Sequence, residues 1–409
     1  MNYSLKNFSN FAVGITCSVG LAGFLAPSAA LAGTVISSTP GIPVNPGTYN
    51  VFLDNNPLIV PVTVTVPATP TKLDLFLNLD LSGSFNDDLP VLRNSVVPAL
   101  INNFCKLPNN RCGVSSFVDK PVSPFGVTNF DYVYKTDLLL TSDTSLVQST
   151  VNRLSIRHGG DLSEGQLESL LQIGVRADEI GFRDDAFKVV VLTTDAAFHK
   201  AGDGASSAGD PDGNGIRGIQ KPNNGDAVLD IGSFGPGTGE DYPSIAQAKA
   251  ALTGAKGTGI VPIFAVTSDV ISTYQSLVNE LGFGTVVELN FNSSNLVDAI
   301  KTGLDNIFRD ITLIAVDDDF GYVNSIMPNS FTGVPTGESR TFNVSLLSNG
   351  TGSNDTLRLV APGFGETVVN VNVDNDNVSV PEPSSGLGIL AMGALGAGSI
   401  LKRKQKQSA

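Results

Sequence analysis

The sequence predicts an α/β domain built on a doubly wound, mostly parallel sheet, inserted in or joined to a β-sandwich. Three observations predict it. Between residues 73 and 308, short apolar β-branched runs alternate with segments of helical periodicity, the pattern of a parallel sheet covered on both faces. After Arg309 the helical spacing stops, and residues 312–373 read as short alternating strands divided by Gly, Pro and Asn turns. Two more alternating strands precede residue 72, too few to bury a face by themselves. They are therefore expected to join the C-terminal strands; a pair of separate small domains is the competing arrangement.

Residues 1–32 read as a signal peptide: Lys6 supplies the positive end, 11–25 is apolar, and Ala30-Leu31-Ala32 is a small-x-small cleavage signal. Residues 33–71 comprise a Ser/Thr/Pro/Gly linker over 33–46 and two strands over 48–66 around an Asn55-Asn56-Pro57 turn. The α/β domain spans 72–309. Its strands are expected at 73–79, 112–118, 187–193 and 260–266, with 132–140 as an antiparallel edge strand. Helical spacing covers 89–104, 164–177, 244–252, 270–281 and 295–308. Residues 310–378 form the expected sandwich, with strands near 340–347 and 356–360.

Composition narrows the function. The 409 residues carry 39 acidic and 25 basic side chains, a net charge of −14. That balance argues against nucleic acid as a partner and is compatible with bound cations. Cys17 lies inside the signal peptide, which leaves Cys105 and Cys112. In an oxidising compartment a local disulfide is the natural reading, and two unpaired core thiols are the alternative.

The C-terminal residues 380–409 have their own pattern. Val380-Pro381-Glu382-Pro383-Ser384-Ser385 precedes an apolar stretch over 386–401 and the basic Lys402-Arg403-Lys404. This resembles the PEP-CTERM sorting signal of bacterial exported proteins. The resemblance implies recognition by an exosortase-type sorting enzyme and a place in the cell envelope or outside the cell. Plain membrane anchoring without processing is the alternative.

The chemistry gathers in Asp80-Leu81-Ser82-Gly83-Ser84-Phe85-Asn86-Asp87-Asp88, where a buried strand ends and a helix begins. In open parallel sheets ligands sit at such carboxyl ends. Carboxylates and hydroxyls are hard ligands that suit Mg2+ or Ca2+. Asp and Ser are also ordinary turn and cap residues, so the loop alone is a weak signal.

Further segments strengthen it: Ser116-Phe117-Val118-Asp119-Lys120-Pro121-Val122-Ser123-Pro124, Thr193-Thr194-Asp195-Ala196, Asp241-Tyr242-Pro243-Ser244, Ile263-Phe264-Ala265-Val266-Thr267 and Asn292-Ser293-Ser294-Asn295. Together and in this order they resemble the βI domain of integrin β subunits, a von Willebrand factor A fold, over residues 73–308. The flanking strands would then be hybrid-like.

The resemblance implies a central Mg2+ site at the metal-ion-dependent adhesion site (MIDAS), held by Asp80, Ser82 and Ser84, with Glu164 as acidic fourth group and Asp195 behind. It implies an adjacent Ca2+ held by Asp87 and Asp88 with the backbone oxygens of Ser84 and Phe291. It also implies a third site at Asp119, Asp161, Ser163 and Glu164. There the chain departs from the family pattern: Gly159 stands where an Asn ligand is usual, and Ser163 where a Pro is usual.

A metal with few carboxylates and open positions can take an oxygen from another molecule. The expected function is thus cell-surface adhesion or recognition, with the acidic side chain of a protein ligand as partner. The alternative is an envelope or matrix component whose cations only brace its loops. An integrin α-like partner is not implied, because the cysteine-containing loop and cysteine-rich stalk of integrin β chains have no counterpart in this sequence.

Asp210-Pro211-Asp212-Gly213-Asn214-Gly215 matches the first half of a calcium loop, but Lys221 occupies the twelfth position, which excludes an EF-hand. His158 is expected in a loop beside the metals and His199 at the surface. No Gly-x-Ser-x-Gly, Walker or Cys-His arrangement predicts an enzyme.

Overall fold

The computed structural model describes residues 34–36, 49–53, 56–66, 72–255, 259–348 and 353–373. The segments read as signal peptide and sorting signal lie outside them. Among the described residues no helix is long and apolar enough to cross a membrane.

A six-stranded sheet forms the centre of the α/β region, in the order Thr285–Glu288, Ile260–Val266, Phe187–Thr194, Leu73–Asp80, Arg111–Phe117, Lys135–Thr141. All neighbours are parallel except the last pair, which is antiparallel. Every residue of Leu73–Asp80, Phe187–Thr194 and Ile260–Val266 is buried. That is why these segments read as continuous apolar runs and not as alternating strands. The chain leaves Leu73–Asp80 for a neighbour on one side and later returns to pair on its other side. Its carboxyl end is therefore a topological switch point, where ligands of such sheets bind.

Helices cover this sheet. Leu296–Ile307 buries Leu296, Ala299, Ile300, Gly303, Leu304 and Ile307, the spacing of one apolar helical face. Ile245–Gly254 begins with a capping box in which Ser244 and Gln247 satisfy each other's backbone N–H groups. Gln166–Val175 has nine residues buried, polar Gln166, Glu168, Ser169 and Gln172 among them. The run from Asp88 to Cys105 mixes α- and π-turns, and a Cys105–Cys112 disulfide with Cα atoms 5.6 Å apart ties its end to the next strand.

Two buried aspartates lie on the central strand. At its amino end, Asp74 accepts from the Arg183 guanidinium at 2.6 and 2.9 Å and from the Arg183 backbone N–H at 2.8 Å. At its carboxyl end is Asp80, fully buried.

Outside the α/β region the described residues form two four-stranded sheets and a short ladder of Ile311–Thr312 with Ser330–Phe331. One has the order Thr34–Ile36, Leu58–Thr65, Ser339–Leu346, Val323–Met327; the other Ile314–Val316, Asp355–Ala361, Gly365–Val373, Tyr49–Leu53. Val51, Val60, Val62, Phe342, Val344, Leu359 and Val371 belong to one apolar cluster. Strands from before and after the α/β region thus pair directly: Leu58–Thr65 with Ser339–Leu346, and Tyr49–Leu53 with Gly365–Val373.

Several expectations need correction. Residues 34–36, read as linker, form a strand parallel to Leu58–Thr65. The short strand Thr285–Glu288 and the helix Thr144–Arg153 were not anticipated.

Candidate metal centre

The loop after the central strand is fastened on both sides. Leu81 N–H donates to the Phe117 carbonyl at 3.0 Å, Gly83 N–H to the His158 carbonyl at 2.9 Å, and Arg157 N–H to the Leu81 carbonyl at 2.7 Å. His158 thus sits in a loop against the 80–84 segment. Within this frame Asp80 accepts from Ser82 N–H at 2.8 Å and from the Thr194 hydroxyl at 2.6 Å. The Ser82 and Ser84 hydroxyls are 3.1 Å apart, and Ser84 donates to Asp195 at 2.8 Å. Asp80, Ser82, Ser84, Thr194 and Asp195 form one connected group. Burial pushes the Asp80 carboxyl up to about 6, against the hydrogen bonds from Thr194 and Ser82 and with help from Asp195.

Next to it, Asp88 is buried and Asp87 exposed. Asp88 accepts a short hydrogen bond from the Ser293 hydroxyl, just ahead of the final helix. Burial first, then the charges of Asp87, Asp195 and Asp80, push Asp88 up to about 7 while Ser293 opposes them. The Phe291 side chain is 61 % exposed.

The third group lies beyond Glu164. Asp119 is fully buried. One of its oxygens accepts from Lys120 N–H at 2.6 Å and from the Tyr242 hydroxyl. The other has no hydrogen-bond partner, and neither has Glu164 Oε2. Burial raises Asp119 well above the usual carboxylate range. Glu164 is pushed up to about 11, by burial first and then by Asp80, Asp119, Asp161 and Asp131. Glu164 therefore feels both the Asp80 group and the Asp119 group. Ser163 is half-buried in a two-residue strand with Glu164. At Gly159, where φ is +67°, an added Cβ would run into the Glu164 carboxylate, so the Asn usual there has no room without a shift of Glu164.

His199 is not at the surface as the sequence suggested; it is 7 % exposed. Its imidazole stacks on Tyr242 and meets the edge of Phe125, two rings far away in sequence. It faces Asp161 at 3.2 Å, Asp119 at 3.4 Å and Asp203 at 3.3 Å. Thr194, Tyr242 and Ser293 were also missed as site residues, although each lies inside a segment that carried the resemblance. In the Asp210–Gly215 segment the side chains are turned onto their own backbone: Asp210 accepts from Gly215 N–H at 2.8 Å and Asn214 from Ile216 N–H at 2.8 Å.

The carboxylates fit divalent cations. Among the described residues no Lys or Arg forms an ion pair with Asp80, Asp88, Glu164 or Asp195. Buried carboxylates without a counter-charge must take up a proton or a cation. The donor atoms are hydroxyl and carboxylate oxygens, the set preferred by Mg2+ and Ca2+.

Comparison with known proteins accords with this geometry. The model of the integrin beta chain VWA domain matches residues 68–311, and that of the PEP-CTERM protein-sorting motif matches 379–404. Human integrin beta-7 is 32 % identical over 258 residues, covering 59 % of this chain and 31 % of that protein. Drosophila melanogaster integrin beta-PS is 30 % identical over 243 residues, 56 % of this chain and 27 % of that protein. Xenopus laevis integrin beta-1-A is 32 % identical over 257 residues, 59 % of this chain and 30 % of that protein. The chain spans about a third of the length of these relatives. A von Willebrand factor A domain matched over the whole α/β region, with its buried acids gathered at the sheet's switch point, places this chain in the integrin β chain VWA-domain family.

Proposed function

We propose that this chain is an exported cell-surface recognition protein that captures an acidic side chain of a protein ligand at a divalent-cation site on Asp80, Ser82 and Ser84. The observation that carries the reading is the Asp80 group: carboxylate and hydroxyl oxygens, buried at Asp80, Ser82 and Thr194, converge at the switch point with no positive side chain among them. Mg2+ bound there would supply a Lewis-acidic position for a ligand oxygen. Glu164 and Asp195 would flank it, and Thr194 and the Ser82 backbone orient Asp80. Asp87 and Asp88, with the backbone oxygens of Ser84 and Phe291, would hold Ca2+. Asp119, Asp161, Ser163 and Glu164 would form the third site.

In this reading residues 72–309 are a metal-binding domain inserted into one β-sandwich made from 33–71 and 310–378. Direct pairing across the insertion supports it. The PEP-CTERM motif marks the chain for export and exosortase processing, following a signal peptide over 1–32. Immobilised protein should retain envelope proteins in Mg2+ and release them in EDTA. Asp80→Ala should retain none while its circular dichroism is unchanged. Equal retention by wild type and Asp80→Ala in Mg2+ would sink the proposal, and no retention by either would favour cations that only brace the loops.

A further inference from the structure

The Asp119 group is not an all-oxygen site. Ligand atoms of Asp119, Asp161 and His199 all lie within 4.8 Å of one another. We propose that His199 Nε2 is a metal ligand, and that this site takes a transition ion of the Zn2+ or Mn2+ class in preference to Ca2+. The proposal rests on the metal reading of the neighbouring loops and adds to it a ligand and a change of metal class.

Four observations carry it. The imidazole is held rigidly: it stacks on Tyr242 at 4.6 Å and meets Phe125 edge-on at 5.0 Å. Its two nitrogens have different surroundings, Nδ1 facing Asp203 at 3.3 Å and Nε2 facing Asp161 and Asp119. A carboxylate on Nδ1–H fixes the tautomer and turns the Nε2 lone pair outward, the usual arrangement of a metal-bound histidine.

The Asp119 oxygen nearest Nε2 belongs to a fully buried residue and has no hydrogen-bond partner. An unmet acceptor in that position asks for a cation. Finally, Gly159 offers no side-chain ligand, and a side chain there would have to displace the Glu164 carboxylate. His199, whose backbone N–H donates to the Glu164 carbonyl at 3.0 Å, brings a donor to the same group. Nitrogen in place of oxygen moves selectivity away from Ca2+ and toward borderline transition ions.

The same distances suit an imidazolium paired with the three carboxylates, and the experiment separates the two readings. The full chain, stripped with chelator, is reloaded with Mn2+ in excess Mg2+ and Ca2+ and examined by pulsed electron paramagnetic resonance. It contains 2 histidines, so 15N-histidine labelling is nearly site-specific. Wild type and His158→Gln should show a nitrogen coupling that changes with the label, and His199→Gln should show none. Zn2+ affinity should fall at least about tenfold in His199→Gln and about 10- to 100-fold in Asp203→Asn, which keeps the coupling.

Bound Mn2+ with no nitrogen coupling in wild type, or equal Zn2+ affinity in wild type and His199→Gln, would overturn the assignment. Should His199→Gln misfold, labelled wild type and Asp203→Asn decide. Asp80→Ala should keep the nitrogen signal, so failure of ligand capture at Asp80 is read independently.

Discussion

The two ends of the central strand treat a buried aspartate in opposite ways. Asp74 and Asp80 are both fully buried on Leu73–Asp80. At the amino end the chain supplies its own cation, the Arg183 guanidinium. There the sheet is also stapled covalently, since Cys112 of the disulfide sits opposite Leu75. At the carboxyl end Asp80 accepts from the Thr194 hydroxyl and from Ser82, with no guanidinium among its partners and more carboxylates around it. Burial of a charge is thus structural at one end and an unmet demand at the other. A cation bound at the proposed site would meet that demand.

The largest effect expected from breaking this contrast is at Asp74. Asp74→Ala leaves the Arg183 guanidinium without its carboxylate beside the sheet and should cost about 3–5 kcal/mol in urea unfolding, with or without divalent ions. Asp80→Ala should cost little in EDTA and instead remove the Mg2+-dependent gain in stability. For wild type that gain should be about 2.7 kcal/mol at a hundredfold excess over Kd.

A pH series sharpens the same point. Asp80 and Asp88 have folded values near 6 and 7, above the ordinary 3.8. The folded state therefore holds protons that the unfolded chain has released between these values. The contribution of Asp80 and Asp88 to stability in EDTA should be full below the unfolded value of 3.8 and be lost as pH rises to 7, by on the order of 3 kcal/mol for Asp80 alone. Mg2+ and Ca2+ should offset the fall at neutral pH. A flat profile in EDTA would mean that the carboxyl end is as well compensated as the amino end.

Smaller effects follow. Replacing Cys105 and Cys112 by Ser should cost about 2 kcal/mol, measured by thermal unfolding, and leave Mg2+ titrations unchanged. Ser293→Ala removes one donor to Asp88 and should cost about 1 kcal/mol. It should also weaken Ca2+ binding in calorimetry without altering Mg2+ at Asp80.

What the sequence revealed divides along similar physical lines. Strands buried on both faces announce themselves by composition alone, so Leu73–Asp80, Phe187–Thr194 and Ile260–Val266 were legible to within a residue. Thr285–Glu288 is four residues at the sheet edge, with one buried, and carries almost no signal. Tyr49–Leu53 and Leu58–Thr65 were legible as strands, but which sheet each joins depends on partners some 280 to 320 residues away. Asp80, Ser82 and Ser84 are neighbours in sequence, and their grouping needed no fold. Asp119, Glu164 and Asp195 come from three other elements and were reached only through the family resemblance. His199 was misjudged because its burial is made by Phe125 and Tyr242, and no local pattern records that.

Pairing across the α/β region also has a mechanical consequence. A pull on the C-terminal sorting segment reaches the described residues at Val373, the end of Gly365–Val373. That strand is hydrogen-bonded along one flank to Asp355–Ala361 and along the other to Tyr49–Leu53. Inter-strand hydrogen bonds run across the strand direction. Tension along the strand therefore loads both ladders in shear, and many bonds must yield together before the strand slides. Because one flank is Tyr49–Leu53, from before the α/β region, Gly365–Val373 cannot be drawn out without also breaking its pairing with that strand.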